Sequence, residues 1–360
     1  MKKAFISDCE GPISKNDNAF ELTAYYVPNG ERFYTVISRY DDVLADVLKR
    51  PGYKAGDTLK LILPFLKAYG ITERKMRSFS AKTLVLIPKV KESLEFIREL
   101  ADAYIVSTSY EHYIAALCHA INFPYENTYC TKVEIDKYEL QEGEKARLKE
   151  LAAEIAKMPV IEIPPGAKNI ENFPGKYRQA IRRLDEIFWH EIARMEIGKI
   201  FKEVNPIGGR EKAKAVRQIA EKLGLSLSEV VYVGDSITDV EAFKTVHQAG
   251  GLTISFNGNE YAVREAEIAV IAENALVTAV LTEVFCKYGK KGVIELVEDW
   301  SVSTLGKIDA NAKLKTMFLN VQGAKLPSVE VVKADNIERL IRESTTFRKT
   351  VRGEAIGRLG

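Results

Sequence analysis

Five short apolar runs set the strongest limit on how this chain can fold. They span residues 4–6, 103–106, 230–233, 252–256 and 268–271, and each is bounded by turn or charged residues. A sixth, weaker run covers 128–133. Runs of this length suit strands buried on both faces, which is the situation inside a parallel sheet. Helical patterns lie between them. Residues 90–100 place Val90, Leu94 and Ile97 on one side, just after Pro88. Residues 212–223 repeat the pattern with Val216, Ile219, Ala220 and Leu223, and Gly224 supplies a C-terminal stop. Strand–helix–strand alternation predicts an α/β fold with a Rossmann-like parallel sheet.

Two stretches of about 70 residues interrupt the alternation, and neither can be a plain loop. The first, 14–86, reads as helices such as 41–49 and 57–69. The second, 134–205, reads as helices at 143–157 and 174–201 around a proline-rich turn at Pro164-Pro165-Gly166. The expected organisation is therefore a core of 1–13, 87–133 and 206–285, helical cap inserts at 14–86 and 134–205, and a C-terminal extension at 286–360.

Charge sharpens the division. The whole chain is nearly balanced, with 52 Lys and Arg against 50 Asp and Glu. The extension alone carries 14 basic against nine acidic residues, and it reads as a solvated helical surface. This balance gives no case for nucleic-acid binding. The most apolar segment, 268–285, contains Glu273 and Glu283 and does not read as a membrane span. Met1-Lys2-Lys3 leads into too short an apolar stretch for a signal peptide. Cys9, Cys118, Cys130 and Cys286 show no CxxC spacing, consistent with a reduced, cytoplasmic setting.

In an open parallel sheet, ligands bind beyond the carboxyl ends of the strands. The residues that follow the apolar runs are therefore informative. They are Asp8-Cys9-Glu10-Gly11-Pro12, Ser107-Thr108-Ser109 and Gly234-Asp235-Ser236-Ile237-Thr238-Asp239, and a helix near Lys212 leads into the third strand. Two acidic clusters and a hydroxyl cluster thus meet at one sheet edge. Carboxylates there suit Mg²⁺, which prefers oxygen ligands and phosphate. An Asp can also attack phosphorus, while a hydroxyl and an ammonium offset the charge of the transferring group.

These residues resemble the haloacid dehalogenase superfamily, whose pattern is a strand-end Asp-x-Asp-Gly, a strand-end Ser or Thr, a helical Lys and a strand-end Gly-Asp-x-x-x-Asp. All four parts occur here in order. The resemblance implies Asp8 as nucleophile and metal ligand. It implies Glu10 as general acid and base, with its carbonyl on the metal. Gly11, Ser107, Thr108 and Lys212 would bind phosphate, and Asp235 and Asp239 would complete the metal side, Asp239 also being able to orient Lys212. The implied activity is Mg²⁺-dependent hydrolysis of a small phosphorylated metabolite through an aspartyl-phosphate. Phosphotransfer by the same mechanism, or a non-catalytic accessory role in a hydrogenase-type complex, are the alternatives. The two inserts fall at the family's usual cap positions.

Two departures stand out. Glu10 replaces the usual Asp, as in phosphoserine phosphatase-like members, and Pro12 removes a backbone N–H. The overall layout is also similar to archaeal proteins named for subunit R of energy-converting hydrogenase A. Lys214 competes with Lys212, and helix register favours Lys212. Cys9 reads as a small buried hydrophobe, and His112 and His119 as core or surface residues. Asp17 is a weaker candidate for gripping a substrate amine. Leucine-rich stretches such as 182–201 are compatible with a homodimer or a protein complex.

Overall fold

The computed structural model describes residues 3–322, 326–357 and 359. Met1 and Lys2, which entered the argument about a signal peptide, and residues 323–325, 358 and 360 of the extension lie outside the described residues. The strands are β1 (Ala4–Ser7), β2 (Asp102–Tyr110), β3 (Thr128–Thr131), β4 (Val230–Gly234), β5 (Leu252–Phe256), β6 (Ile268–Ile271) and β7 (Ser328–Val331). Among the described residues they form one sheet, ordered β3-β2-β1-β4-β5-β6-β7. The first six are mutually parallel, and β7 runs antiparallel to β6.

The central position of β1 creates the site. Ser7 lies in register with Ile105 of β2 on one side and Val233 of β4 on the other. Asp8 and Gly234 therefore come level with Val106, and Ser107-Thr108-Ser109, expected just after the second strand, lie inside β2, which runs on to Tyr110. Burial on both faces explains why the runs are apolar. Phe5, Val231 and Val233 face a core under helices Val90–Leu100, Glu111–Ile121 and Leu276–Glu298. Ala4, Ile6 and Tyr232 face the opposite core, beneath helices Arg210–Leu223 and Val240–Gln248. Helix Arg210–Leu223 ends as expected, with Gly224 at φ +66° donating its N–H to Ala220 and Glu221.

The two long segments between strands pack against each other around one apolar cluster. Tyr40 stacks on Phe188 at 5.8 Å between ring centroids, and Phe65 meets the same ring edge-on at 6.1 Å. Aromatic pairs of this kind add to simple area burial. The expected helix at 41–49 is instead the end of Gly30–Asp42, widened into a π-helical turn at Val43–Val47. The expected helix over 174–201 stops at Glu186 and continues as short turns. The chain doubles back there so tightly that a side chain at Gly198 would overlap the Ile192 carbonyl.

The extension departs most from the sequence reading. Its expected start falls inside helix Leu276–Glu298, which bends at Gly289 rather than ending. Residues Ser328–Val331 join the sheet as β7, a strand too short and too polar to stand out in sequence. The C-terminal helix Ile337–Arg352 is not a solvated surface. Leu340 and Ile341 pack on Val263 and Ala269. Ser344 Oγ donates to the Gly258 carbonyl at 2.6 Å. This helix lies across the sheet edge and brings its last turn to the strand ends.

Candidate active site

Asp8 leaves β1 with its N–H donated to the Val233 carbonyl at 2.8 Å, so β4 directly fixes its position. The chain then turns back sharply, and Ile13 and Ser14 both donate to the Cys9 carbonyl. Gly11 takes φ +105° in this turn, and a Cβ there would overlap the carboxylate of Asp235. Only glycine lets the β1 and β4 loops approach so closely. Cys9 points away into the core and is fully buried, as expected.

Asp8, Ser107, Lys212, Asp235 and Asp239 are all buried. Asp8 Oδ1 accepts from the Cys9 N–H at 2.6 Å, and Asp8 Oδ2 pairs with Lys212 Nζ at 2.6 Å. The same ammonium pairs with Asp239 Oδ1 at 2.7 Å. Lys214 points to solvent. Asp239 also accepts from the Tyr232 hydroxyl at 2.6 Å and, through Oδ2, from the N–H groups of Asp235 and Ser236 at 3.0 and 3.1 Å. Both of its oxygens are thus engaged by protein donors. Carboxylate oxygens of Asp8, Asp235 and Asp239 lie within 4.8 Å of one another, close enough to share a cation.

Glu10 Oε1 accepts from the Asn18 N–H at 2.8 Å. Ser107 Oγ donates to Ser109 Oγ at 3.0 Å and accepts the Ser109 N–H at 3.2 Å. Thr108 lines the cavity, with its hydroxyl turned to the Ile207 carbonyl at 3.0 Å. Asp17 caps helix Asn18–Tyr26 and also lines the cavity. His112 is buried in helix Glu111–Ile121 and His119 is exposed; neither borders the cavity.

Burial dominates the electrostatics. It pushes the Asp8 carboxyl up to about 7, against the pull of Lys212. It also raises Glu10 well above the ordinary Glu value, helped by the nearby charge of Asp17. Burial opposes the charge of Lys212, but Asp239 and Asp8 outweigh it and raise the lysine above its usual range. The cavity measures about 90 Å³.

Two residues that border the cavity escaped the sequence reading. Arg348 and Arg352, one turn apart on the C-terminal helix, both border the cavity and both pair with Asp235 Oδ2, Arg352 at 3.0 Å. Arg352 also donates Nε to the Lys15 carbonyl at 3.0 Å and Nη2 to the Asn16 carbonyl. A stripe of one residue every four, Leu340, Ser344, Arg348 and Arg352, was the available signal, because its buried first member marks the face that turns inward.

This arrangement brings strand-end carboxylates and a buried lysine together at one edge of an α/β sheet. Residues 89–283 match the family model for haloacid dehalogenase-like hydrolases, and the chain belongs to that family. Among solved structures, a gene product of Archaeoglobus fulgidus is similar over the full length. It covers 100% of this chain and 99% of its own, with 28% identity and a TM-score of 0.81. An apo phosphoserine phosphatase covers 81% of this chain and 100% of its own, with 14% identity and a TM-score of 0.47. A phospho-aspartyl intermediate analogue of phosphoserine phosphatase covers 74% of this chain and 92% of its own, with 14% identity and a TM-score of 0.45. No curated protein matches the chain.

Proposed function

We propose that this hydrolase is a Mg²⁺-dependent phosphatase that acts on a small phosphomonoester through an aspartyl-phosphate at Asp8. The observation that carries this reading is the buried Asp8–Lys212–Asp239 chain, set beside Asp235 at the mouth of three parallel strands. A buried carboxylate paired with a specific cation and bordering a cleft is the pattern of a functional site.

The donor set fits a hard cation. Six carboxylates, Asp8, Glu10, Asp17, Asp41, Asp42 and Asp235, border the cavity, against the two guanidinium groups of Arg348 and Arg352 among the described residues. Asp8, Asp235 through the Oδ1 that its arginines leave, and the Glu10 carbonyl would hold Mg²⁺, whereas Asp239, which takes four protein donors, suits an orienting role. The ion, when bound, supplies positive charge against the phosphoryl oxygens.

Asp8 attacks phosphorus in line, forming the Asp8–phosphorus bond as the bond to the leaving oxygen breaks. Lys212 restrains the Asp8 carboxylate and, with Ser107, offsets charge on the transferring group. Glu10, whose protonated form burial favours, gives a proton to the leaving alcohol. The resulting carboxylate then takes a proton from water, which attacks phosphorus, releases orthophosphate and restores Asp8. The small cavity selects a short leaving group.

The test is orthophosphate release from a panel of phosphorylated metabolites, with Mg²⁺ and with chelator. Turnover should require the metal, and Asp8→Asn should lower it by roughly 10³-fold or more. Undiminished turnover in Asp8→Asn would overturn the assignment of the nucleophile.

A further inference from the structure

Two helices, Gly30–Asp42 of the first long segment and the C-terminal Ile337–Arg352, divide the cavity from a second, outer groove of about 600 Å³. On each helix, neighbouring residues serve opposite sides. Ser38 and Arg348 border the cavity, while Arg39 and Lys349 border the groove. Among the described residues, Leu359 alone borders both.

The backbone steers Leu359 to that place. Arg352 ties the end of its helix to the Lys15 and Asn16 carbonyls. Gly353 then takes φ +85°, a conformation that favours glycine, and the chain folds back as the short helix Glu354–Gly357. Gly357 donates its N–H to the Gly353 carbonyl at 2.9 Å, and a Cβ on Gly357 would overlap Lys349 Cα. Leu359 follows, with its N–H on the Ile356 carbonyl at 3.0 Å. It is buried, and it packs in the apolar cluster of the two long segments rather than against the sheet.

Chemistry divides the cavity lining into two sides. Asp8, Ser107 and Asp235 belong to the strand ends, and the transferring phosphoryl group must sit against Asp8. Ala19, Tyr34, Leu59 and Leu359 border the same cavity, and all four belong to the cluster of the long segments. In-line displacement places the leaving group on the side of phosphorus away from Asp8, and these apolar residues are the surface it meets there. We infer that Leu359 is the end wall of the leaving-group pocket, a specificity-determining residue whose side chain separates the cavity from the outer groove and limits leaving-group length. This assignment rests on the phosphatase reading above and adds to it the residue that sets size.

The test is calorimetric binding of ethyl-, butyl- and hexylphosphonate, whose carbon–phosphorus bond resists hydrolysis, to the full chain in Mg²⁺ buffer. The wild type should hold hexylphosphonate at least about tenfold more weakly than ethylphosphonate, because a packed wall does not yield to extra methylenes. Leu359→Ala should erase that penalty, at roughly fourfold per methylene that reaches the groove, and leave ethylphosphonate within about twofold. Leu359→Val makes a smaller cut and should shift the profile the same way by less, which keeps the test decisive if alanine unfolds the chain; melting curves establish which variant is folded. A role confined to packing would lower the melting temperature and leave the length profile unchanged, and that result overturns the inference. A wild type that binds hexylphosphonate as well as ethylphosphonate overturns it, as does failure of every probe to bind. Equal tightening of all three probes by Leu359→Ala also overturns it, and would make the residue a displaceable gate. If the wild type turns over no phosphomonoester while the length profile and its shift persist, the phosphatase reading falls and the wall stands. Turnover with a flat profile removes the wall alone.

Discussion

Lys212→Met gives the sharpest test of the electrostatic core. The ammonium is fully buried and bridges two carboxylates at 2.6 and 2.7 Å. Methionine fills nearly the same space without charge, so packing is preserved and the change is electrostatic. Removing one partner from a buried ion pair costs about 3–5 kcal/mol, because the remaining charge has no compensation. Here both Asp8 and Asp239 lose their shared cation, although Asp239 keeps the Tyr232 hydroxyl and two backbone donors. The loss should therefore fall in that range and not above it. At about 2.1 cal/mol/K per residue over 360 residues, it corresponds to a fall of about 4–7 °C in Tm for a single transition. The assay is urea unfolding at pH 7 without divalent metal, followed by circular dichroism, with the slope m unchanged. The double variant Lys212→Met/Asp239→Asn should recover part of the loss, since one uncompensated charge is gone. A loss below about 1 kcal/mol, the level of an exposed pair, or no recovery in the double variant, would refute the reasoning.

Three further outcomes are expected. Tyr232→Phe removes the 2.6 Å bond to Asp239 and should lower stability by about 1–3 kcal/mol by denaturant titration, whereas an unchanged midpoint would show that Asp239 does not depend on it. Gly11→Ala forces a side chain onto Asp235 at φ +105° and should lose about 1–3 kcal/mol, together with any thermal stabilisation by Mg²⁺; a wild-type melting curve with and without the ion would contradict the close approach. Burial raises the Glu21 carboxyl to about 7, so the folded state keeps a proton that the unfolded chain releases above its ordinary value of 4.5. Stability therefore declines as pH rises from about 4.5 to 7, by at most about 1.4 kcal/mol per pH unit and less because the side chain is partly exposed. Glu21→Gln should flatten that segment of the stability–pH curve, and an unaltered slope would exclude Glu21 as its source.

Much of the core was legible because its causes are local. Strands such as Val230–Gly234 are buried on both faces and must be apolar, and residues after them meet at one edge whatever the helices do. Lys212 was separable from Lys214 because helical spacing turns one inward and the other to water. The π-helical turn at Val43–Val47 and the broken helix after Glu186 were not legible. There the same apolar spacing serves a helix or a folded-back chain, and packing against the other long segment decides.

The sequence by itself determined the α/β class, the family and the set of strand-end side chains. These follow from a two-faced burial pattern and from chemistry confined to short motifs. Only the tertiary structure decided that the two long segments between strands share one core, that the C-terminal segment adds a strand to the sheet, and that its arginines border the cavity. Arg348 and Arg352 lie 113 and 117 residues beyond Asp235, on a helix whose charged residues read in sequence like any solvated face. A charge in a sequence has no direction. Docking of Leu340 and Ile341 against Val263 and Ala269 supplies it, turning basic residues of a seemingly solvated surface toward the buried acids.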